Sequence, residues 1–425
     1  MKKYIFLVLP IFLYSANFSD LIKSVDNNLL VKSKEVQTKA LKKLLRAKKA
    51  KNYPSIDFNL KTVRLYDTPT TNFNIPPLGS NTVPVGTKTN IDAEIAVTYP
   101  LFTGYAITKS IEIAKLKLIK SKLETKELKR ELYLKIASLY SGIYSLNQAI
   151  KADNEAKNAI EKSYKKAKGL YENGFINISN LYKIKAQKYE IISSITSYKE
   201  QKNSLRQDLL YITNIKTDVR KLPNFNLSKK SLITTALNQR ADIKALKTQL
   251  AIDNKDIALA KSKYYPNIAV FGAIKRQGDD FSLDGNGFSN ADQSYIGATL
   301  NYNIFDGGEK SSEKQAALAK KVARKLYFAD YKRGVIKNIK NALSKLKSLK
   351  YQLKAARQQI EAGRSYYKLT YGRFENSLAS GDELSRAIAN LAKAKAQKED
   401  IKSKIFLQYT KISLMAGNDY FLKKI

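Results

Sequence analysis

Two periodicities divide the chain. Ile56, Phe58 and Leu60 alternate with Ser55, Asp57 and Asn59. Ile91, Ala93, Ile95, Val97 and Tyr99 repeat the pattern, with Asp92 and Glu94 between them. A period of two predicts strands that are apolar on one side and wet on the other. A less regular pair follows, opened by Ile268, Val270 and Phe271 and returned by Tyr295, Ile296, Ala298, Leu300 and Tyr302. The first pair is joined by a segment dense in turn residues, Pro69, Pro76, Pro77, Gly79, Pro84 and Gly86. The second is joined by a loop with Gly278, Gly285 and Gly287. The strands expected are about 55–66, 91–100, 267–276 and 294–304.

Elsewhere apolar residues recur every three or four positions. From Tyr105 to about Lys168 there is no proline, and Ile107, Ile111, Ala114, Leu118, Leu128, Leu132, Leu139, Ile143 and Leu146 mark one helical face. About 62 residues at 1.5 Å each make a rod of roughly 90–95 Å. Gly169, Asn173 and Gly174 interrupt it, and a return helix is expected from about Asn177 to Tyr211. A second hairpin is expected over about 309–415, with its turn at Tyr371 to Gly381. Helices are also expected from about Asp20 to Asn52 and from about Leu232 to Lys263, ended by Pro54 and Pro266. Small residues such as Ala114, Ala137, Ala356, Ala387 and Ala394 permit close helix approach. The pattern is mainly α with a small β part.

The order of elements repeats. Residues 99–104 read YPLFTG and residues 302–307 read YNIFDG, an offset of 203. At that offset Gly169, Glu172, Asn173 and Leu181 match Gly372, Glu375, Asn376 and Leu384. Tyr53-Pro54 and Tyr265-Pro266 repeat at 212. Ordered matches with a small change of offset point to an internally duplicated protomer. The division expected is 1–16, 17–215 as the first repeat, 216–230 as a linker and equatorial segment, 231–416 as the second repeat, and 417–425 as a tail.

Residues 1–16 read as a signal peptide: Lys2 and Lys3, an apolar core from Tyr4 to Tyr14, then Ser15 and Ala16. No later stretch reaches 18 apolar residues without charge, so membrane entry requires a β-barrel. Four strands cannot close one, since the smallest outer-membrane barrels have eight. Several chains can contribute to a single barrel, and three chains of four strands each give twelve.

Composition narrows the chemistry. The 425 residues hold no cysteine and no histidine, which removes thiolate nucleophiles, the commonest metal ligand and the usual catalytic base. Lys plus Arg number 76 against 37 Asp plus Glu, a formal +39. The cations are mostly lysines spaced through helical patterns, which reads as long solvated helices and not as a nucleic-acid patch. Gly307 to Ser311 lacks phosphate-loop spacing. Asp279, Asp280 and Asp284 lie close in sequence but lack calcium-loop spacing, and read as a polar surface loop. No catalytic, cofactor or metal residue is assigned.

The chain resembles the TolC-like outer membrane efflux protein family. The resemblance rests on the signal peptide, the duplication, two strands per unit and two long hairpins. Locally it rests on Asn238-Gln239-Arg240-Ala241-Asp242-Ile243, where Ala241 replaces the family's proline, on Tyr264-Tyr265-Pro266 and on Tyr302 to Gly308. At the first turn Tyr171, Gly174 and Leu181 match the family spacing. The second turn has Phe374 and Ser377 in place of tyrosine and glycine but keeps Ser380, Glu383 and Leu384.

The resemblance implies a homotrimer, with a twelve-stranded outer-membrane β-barrel continued by a long α-helical periplasmic barrel. It further implies a cell-outer-membrane channel of a tripartite efflux or type I secretion system. The partners implied are outer-membrane lipid, a periplasmic adaptor protein and an inner-membrane efflux pump or secretion transporter, with no cofactor and no nucleic acid. Pro54, Gly104, Pro266, Gly307 and Gly308 are expected at helix–strand corners. Asp382 and Glu383, three copies each around an opening, are the candidate periplasmic gate; capping of the return helix is the competing role of this turn, through Ser380 or Asp382. Arg373, Gly174 and Asn177 are candidate hairpin-turn contacts. An exported periplasmic coiled-coil adaptor without a pore is the competing reading; it shares the long helices and leaves the paired strands unexplained.

Overall fold

The computed structural model describes residues 17–77, 79–224 and 231–422. The expected signal peptide, 1–16, lies outside the described residues, as do parts of the expected linker and tail.

The chain divides into two compact units. The first comprises residues up to 37, 121–246 and 328 onward. It holds α1 (Phe18–Lys23), a 3-10 turn (Ser24–Asn27), the start of α2 (Leu29–Ala50) and most of α3 (Ala106–Glu172). It also holds α4 (Ile178–Thr213), α5 (Leu232–Gln239) and the start of α6 (Ala241–Ser262). Most of α7 (Glu309–Glu375), α8 (Gly381–Ala416) and α9 (Asn418–Leu422) complete it. Its main core gathers Phe18, Leu21 and Ile22 of α1 against Ile136 and Tyr140 of α3, Leu209 of α4, Phe406 of α8 and Phe421 of α9. Phe18 meets the Tyr140 and Phe406 rings edge-on at 5.1 and 5.2 Å. A second cluster packs Ile160, Ile184, Ile191, Phe374, Leu384 and Ile388 near the hairpin turns.

The second unit comprises residues 38–120 and 247–327. Here β1 (Ser55–Arg64), β4 (Thr89–Thr103), β5 (Asn267–Gly278) and β6 (Tyr295–Asn301) form an antiparallel sheet in the order β1-β4-β5-β6. Register runs Ile56↔Val97, Ile95↔Ile274 and Gly272↔Ile296, with one irregularity between Pro100 and Phe102. β2 (Thr70–Ile75) and β3 (Gly79–Pro84) form a separate hairpin. Mainly helical architecture with a minor sheet is therefore the fold class.

Three local expectations differ from what is observed. The stretch 70–84 reads as a polar loop, yet it pairs as a hairpin, because Thr70, Thr71, Phe73, Thr82 and Val83 suit strands without supplying a regular apolar alternation. The first helix is broken at Ser24–Asn28, where Asn28 turns extended and its side chain donates to the Ile212 carbonyl. The helix expected over 232–263 breaks at Arg240, which is extended (φ −60°, ψ 134°).

Helix lengths recur in order: α2 and α6 have 22 residues each, α3 and α7 have 67, and α4 and α8 have 36.

Candidate functional site

The sheet has two unlike faces. Ile56, Phe58, Leu60, Ile95, Val97, Ile274, Ile296 and Leu300 share one side through the register above, and all are exposed. Ile296 is 91% exposed and Ile56 71%. The opposite side carries Asp57, Asn59, Lys61, Asp92, Glu94 and Lys275. There Lys275 pairs with Asp92 at 3.3 Å and the Tyr295 hydroxyl donates to Glu94 at 2.8 Å. An apolar face of this extent left to water is unfavourable, since each buried methylene gains about 0.8 kcal/mol. Within the sheet, β1 and β6 each have one unpaired edge.

All four helix–strand corners lie at one end of this sheet. Pro54 immediately precedes β1 and Pro266 immediately precedes β5. The helices before them stop earlier, at Ala50 and Ser262, and unwind through i→i+3 bonds such as Tyr53 N–H to Ala50 O and Tyr265 N–H to Ser262 O. Gly104 takes φ +57°, and a Cβ there would lie 2.4 Å from the Ser262 carbonyl oxygen, so that corner excludes a side chain. Gly307 and Gly308 also have positive φ, and Asp306 accepts from the Gly308 and Lys310 amides at 3.0 Å each. These bonds hold the Asp306 carboxyl below its ordinary range despite some opposing desolvation. Phe102, Tyr105 and Tyr265 stack edge-on beside the corner.

The two hairpin turns are built alike. In the first, Gly174 has φ +77° and Phe175 N–H reaches back to Leu170 O; in the second, Ser377 has φ +60° and Leu378 N–H reaches Arg373 O. Asn173 donates to Gly169 O at 2.7 Å and Asn376 to Gly372 O at 2.8 Å. Asn177 caps α4 by accepting from Ser179 N–H, and Ser380 caps α8 by accepting from Glu383 N–H.

The carboxylates at the second turn already have partners. Glu383 closes the capping box with Ser380 and lies 3.9 Å from Arg373. Arg373 also donates to Leu378 O at 3.0 Å. Asp382 pairs with Arg386, one turn along, at 2.8 Å. Arg386 was not singled out from the sequence, although its i,i+4 spacing from Asp382 carries the signal. Gly381 has no such signal: a Cβ there would meet the Ile184 side chain of α4 at 2.8 Å, which brings the first turns of α4 and α8 together.

A charged cluster in the first unit was only half legible. Arg240 grips Asp242 through two nitrogens, at 3.0 and 2.5 Å, and the Tyr331 hydroxyl donates to the same carboxylate at 2.6 Å. Burial works to raise the Asp242 pKa, but Arg240, Tyr331 and the Ile243 amide together hold it below the ordinary value. Burial first, then the carboxylate, pushes Tyr331 up to about 12. The Arg–x–Asp spacing is visible in the sequence; Tyr331, 89 residues away, is not. In the loop after β5, Asp279, Asp280 and Asp284 bring carboxylate oxygens within 4.8 Å of one another, all exposed. Asp280 accepts from the Ser282 amide and hydroxyl.

Residues 232–418 match the family model described as Outer membrane efflux protein. No curated protein matches the sequence. Among solved structures, a membrane protein from Pseudomonas aeruginosa aligns with TM-score 0.81 at 15% identity, covering 96% of this chain and 91% of that one. The outer membrane protein VceC from Vibrio cholerae aligns with TM-score 0.78 at 15% identity, covering 94% and 96%. The Campylobacter jejuni CmeC outer membrane channel aligns with TM-score 0.78 at 16% identity, covering 95% and 85%. These likenesses show the fold.

Proposed function

We propose that this chain, whose residues 232–418 match the model of the outer membrane efflux protein family, is the outer-membrane channel of a tripartite efflux or type I secretion system. It conducts passively what an inner-membrane transporter and a periplasmic adaptor deliver, and it catalyses no reaction. The observation that carries this reading is the four-stranded sheet, with one exposed apolar face, one polar face and two open edges. In lipid the apolar face is solvated by acyl chains, and the polar face lines water.

Open edges do not survive in the hydrocarbon core. Because the four strands alternate in direction, β6 of one copy meets β1 of the next antiparallel in any closed ring. Three copies of four strands make a twelve-stranded barrel. The matching lengths of α2 and α6, α3 and α7, and α4 and α8 support an internal duplication. The hairpins form the periplasmic part, with Gly174, Asn177 and Arg373 on the turns that meet the adaptor. A pore-less exported coiled coil leaves the apolar sheet face without an occupant.

Asp382 and Glu383 gate the periplasmic end. Each Asp382 carries Arg386 and each Glu383 carries Ser380 and Arg373, so the ring is held by paired charge. The test combines imaging and conductance. Detergent particles from outer membranes are expected to be hollow and three-fold, and to conduct in planar bilayers. Replacing both Asp382 and Glu383 by Ala is expected to raise single-channel conductance or weaken divalent-cation block. Soluble particles without three-fold symmetry overturn the channel; unchanged conductance and block in the variant overturn the gate.

A further inference from the structure

The last turns of α2 and the residue that follows it carry Lys42, Lys43, Arg46, Lys48, Lys49 and Lys51, with no acidic residue between Glu35 and Asp57. All six cations are exposed, and among the described residues none makes an ion pair. Their neighbours on the other corner helices differ. Lys263 bridges Glu309 and Glu313, Lys255 pairs with Glu112, and Lys310 lies 3.8 Å from Asp306. Only Lys48 and Lys49 stand in the last turn of α2, where a helix dipole favours cations. The dipole gives no reason for Lys42, Lys43 and Arg46. Lys42, Arg46 and Lys49 fall on one helical face by their three- and four-residue spacing, and the others spread around it.

The position of this cluster is fixed by the chain. α2 ends at Ala50 and β1 starts at Ser55, so Lys51 stands four residues before the sheet. Lys42 stands eight residues, about 12 Å at 1.5 Å per residue, before the helix end at Ala50. The intervening corner is aromatic: Tyr53 is exposed, and Phe102, Tyr105 and Tyr265 stack at the same end of the sheet. Apolar strand face, aromatic rim and unpaired cations therefore follow one another within the same unit. That is the order of hydrocarbon, interface and headgroup in a bilayer leaflet.

We propose that this segment of α2 is a binding surface for anionic phospholipid headgroups of the leaflet at the corner end of the sheet. The proposal rests on the reading of the sheet as membrane-embedded. Lys48, Lys49 and Lys51 stand nearest that leaflet's surface, and flexible stems together with a Debye length of roughly 8–10 Å extend the reach of the cations further back. Lysine suits the task, because a mobile headgroup layer needs point charges and not planar recognition. Three copies of the segment would ring the barrel with eighteen cations at this level, six from each chain.

The test uses the full-length assembled protein in nanodiscs of phosphatidylcholine alone and of phosphatidylcholine mixed with phosphatidylglycerol. Native mass spectrometry of retained lipid and the melting temperature are read in both. The wild type is expected to retain phosphatidylglycerol about tenfold or more over phosphatidylcholine, falling as salt rises. Neutralising all six cations to Gln removes the preference, whereas the five lysines changed to Arg keep it. Should the six-fold variant fail to assemble, Lys48→Gln, Lys49→Gln and Lys51→Gln together are expected to reduce the preference in an assembled channel. Equal retention of both lipids by the wild type overturns the proposal, as does a preference unchanged in the Gln variants. Loss of sedimentation with peptidoglycan in those variants, with lipid preference intact, also overturns it. Failure to enter either nanodisc overturns the membrane reading instead.

Discussion

Gly174 and Ser377 stand at the same step of two similarly built turns, both in the left-handed region. Glycine holds that conformation freely, whereas a side chain costs roughly 1–2 kcal/mol. Part of the gain on replacing serine is returned by the greater freedom of glycine in the unfolded chain. Ser377→Gly is therefore expected to stabilise by about 0.5–1 kcal/mol, seen as a higher melting temperature in detergent. Gly174→Ser is expected to lower it by a similar amount. In the sequence Ser377 is a departure from the turn pattern, and the structure shows that the turn survives the departure. The Asn376 bond to Gly372 and the Leu378 amide bond back to Arg373 O, five residues earlier, hold it. Gly381 is the contrasting case, since its need for close approach depends on Ile184 in another hairpin and leaves no trace in local sequence.

At the scale of elements, the break between α5 and α6 is maintained without the proline that the family pattern has at position 241. Arg240 turns extended, folds back on Asp242, and Tyr331 completes the carboxylate's shell. Because the folded-state pKa of Asp242 is depressed, its contribution is present above the unfolded value near 3.9 and is lost as pH falls through the folded value. Asp242→Asn is expected to cost roughly 2–4 kcal/mol at neutral pH, since it leaves the Arg240 charge buried and unpaired. The stability gap between wild type and variant is expected to hold down to pH about 4 and to narrow as pH falls further, through the depressed folded value, checked by melting curves across that range. Long helices and two-sided strands were legible because each carries its period in its own residues. The 70–84 hairpin was not, because strands that bury little need no apolar alternation.

At the scale of the whole molecule, the formal +39 had suggested only solvated helices. The structure adds that part of it is concentrated on α2, unpaired, next to an aromatic rim. The apolar sheet face was legible from alternation alone, but its continuity across four strands required the register. The proposed gate residues, Asp382 and Glu383, were legible as acids at a turn; that each has a cation or cap beside it was not, apart from the i,i+4 spacing of Arg386.

The two open edges of the sheet also bear on the life history of the proposed channel. Lipid cannot satisfy the backbone groups of β1 and β6 that lack a neighbour. On the proposed assembly, a protomer leaving an inserted ring would expose both edges at once, so inserted rings are expected to be kinetically closed to turnover of their members. Two differently tagged populations, combined after insertion, are expected to remain separate in pull-downs, while coexpressed ones form hybrids. Hybrids appearing after combination would mean that the edges are not sealed by neighbouring copies. In the proposed ring, a defective copy therefore enters before insertion or not at all.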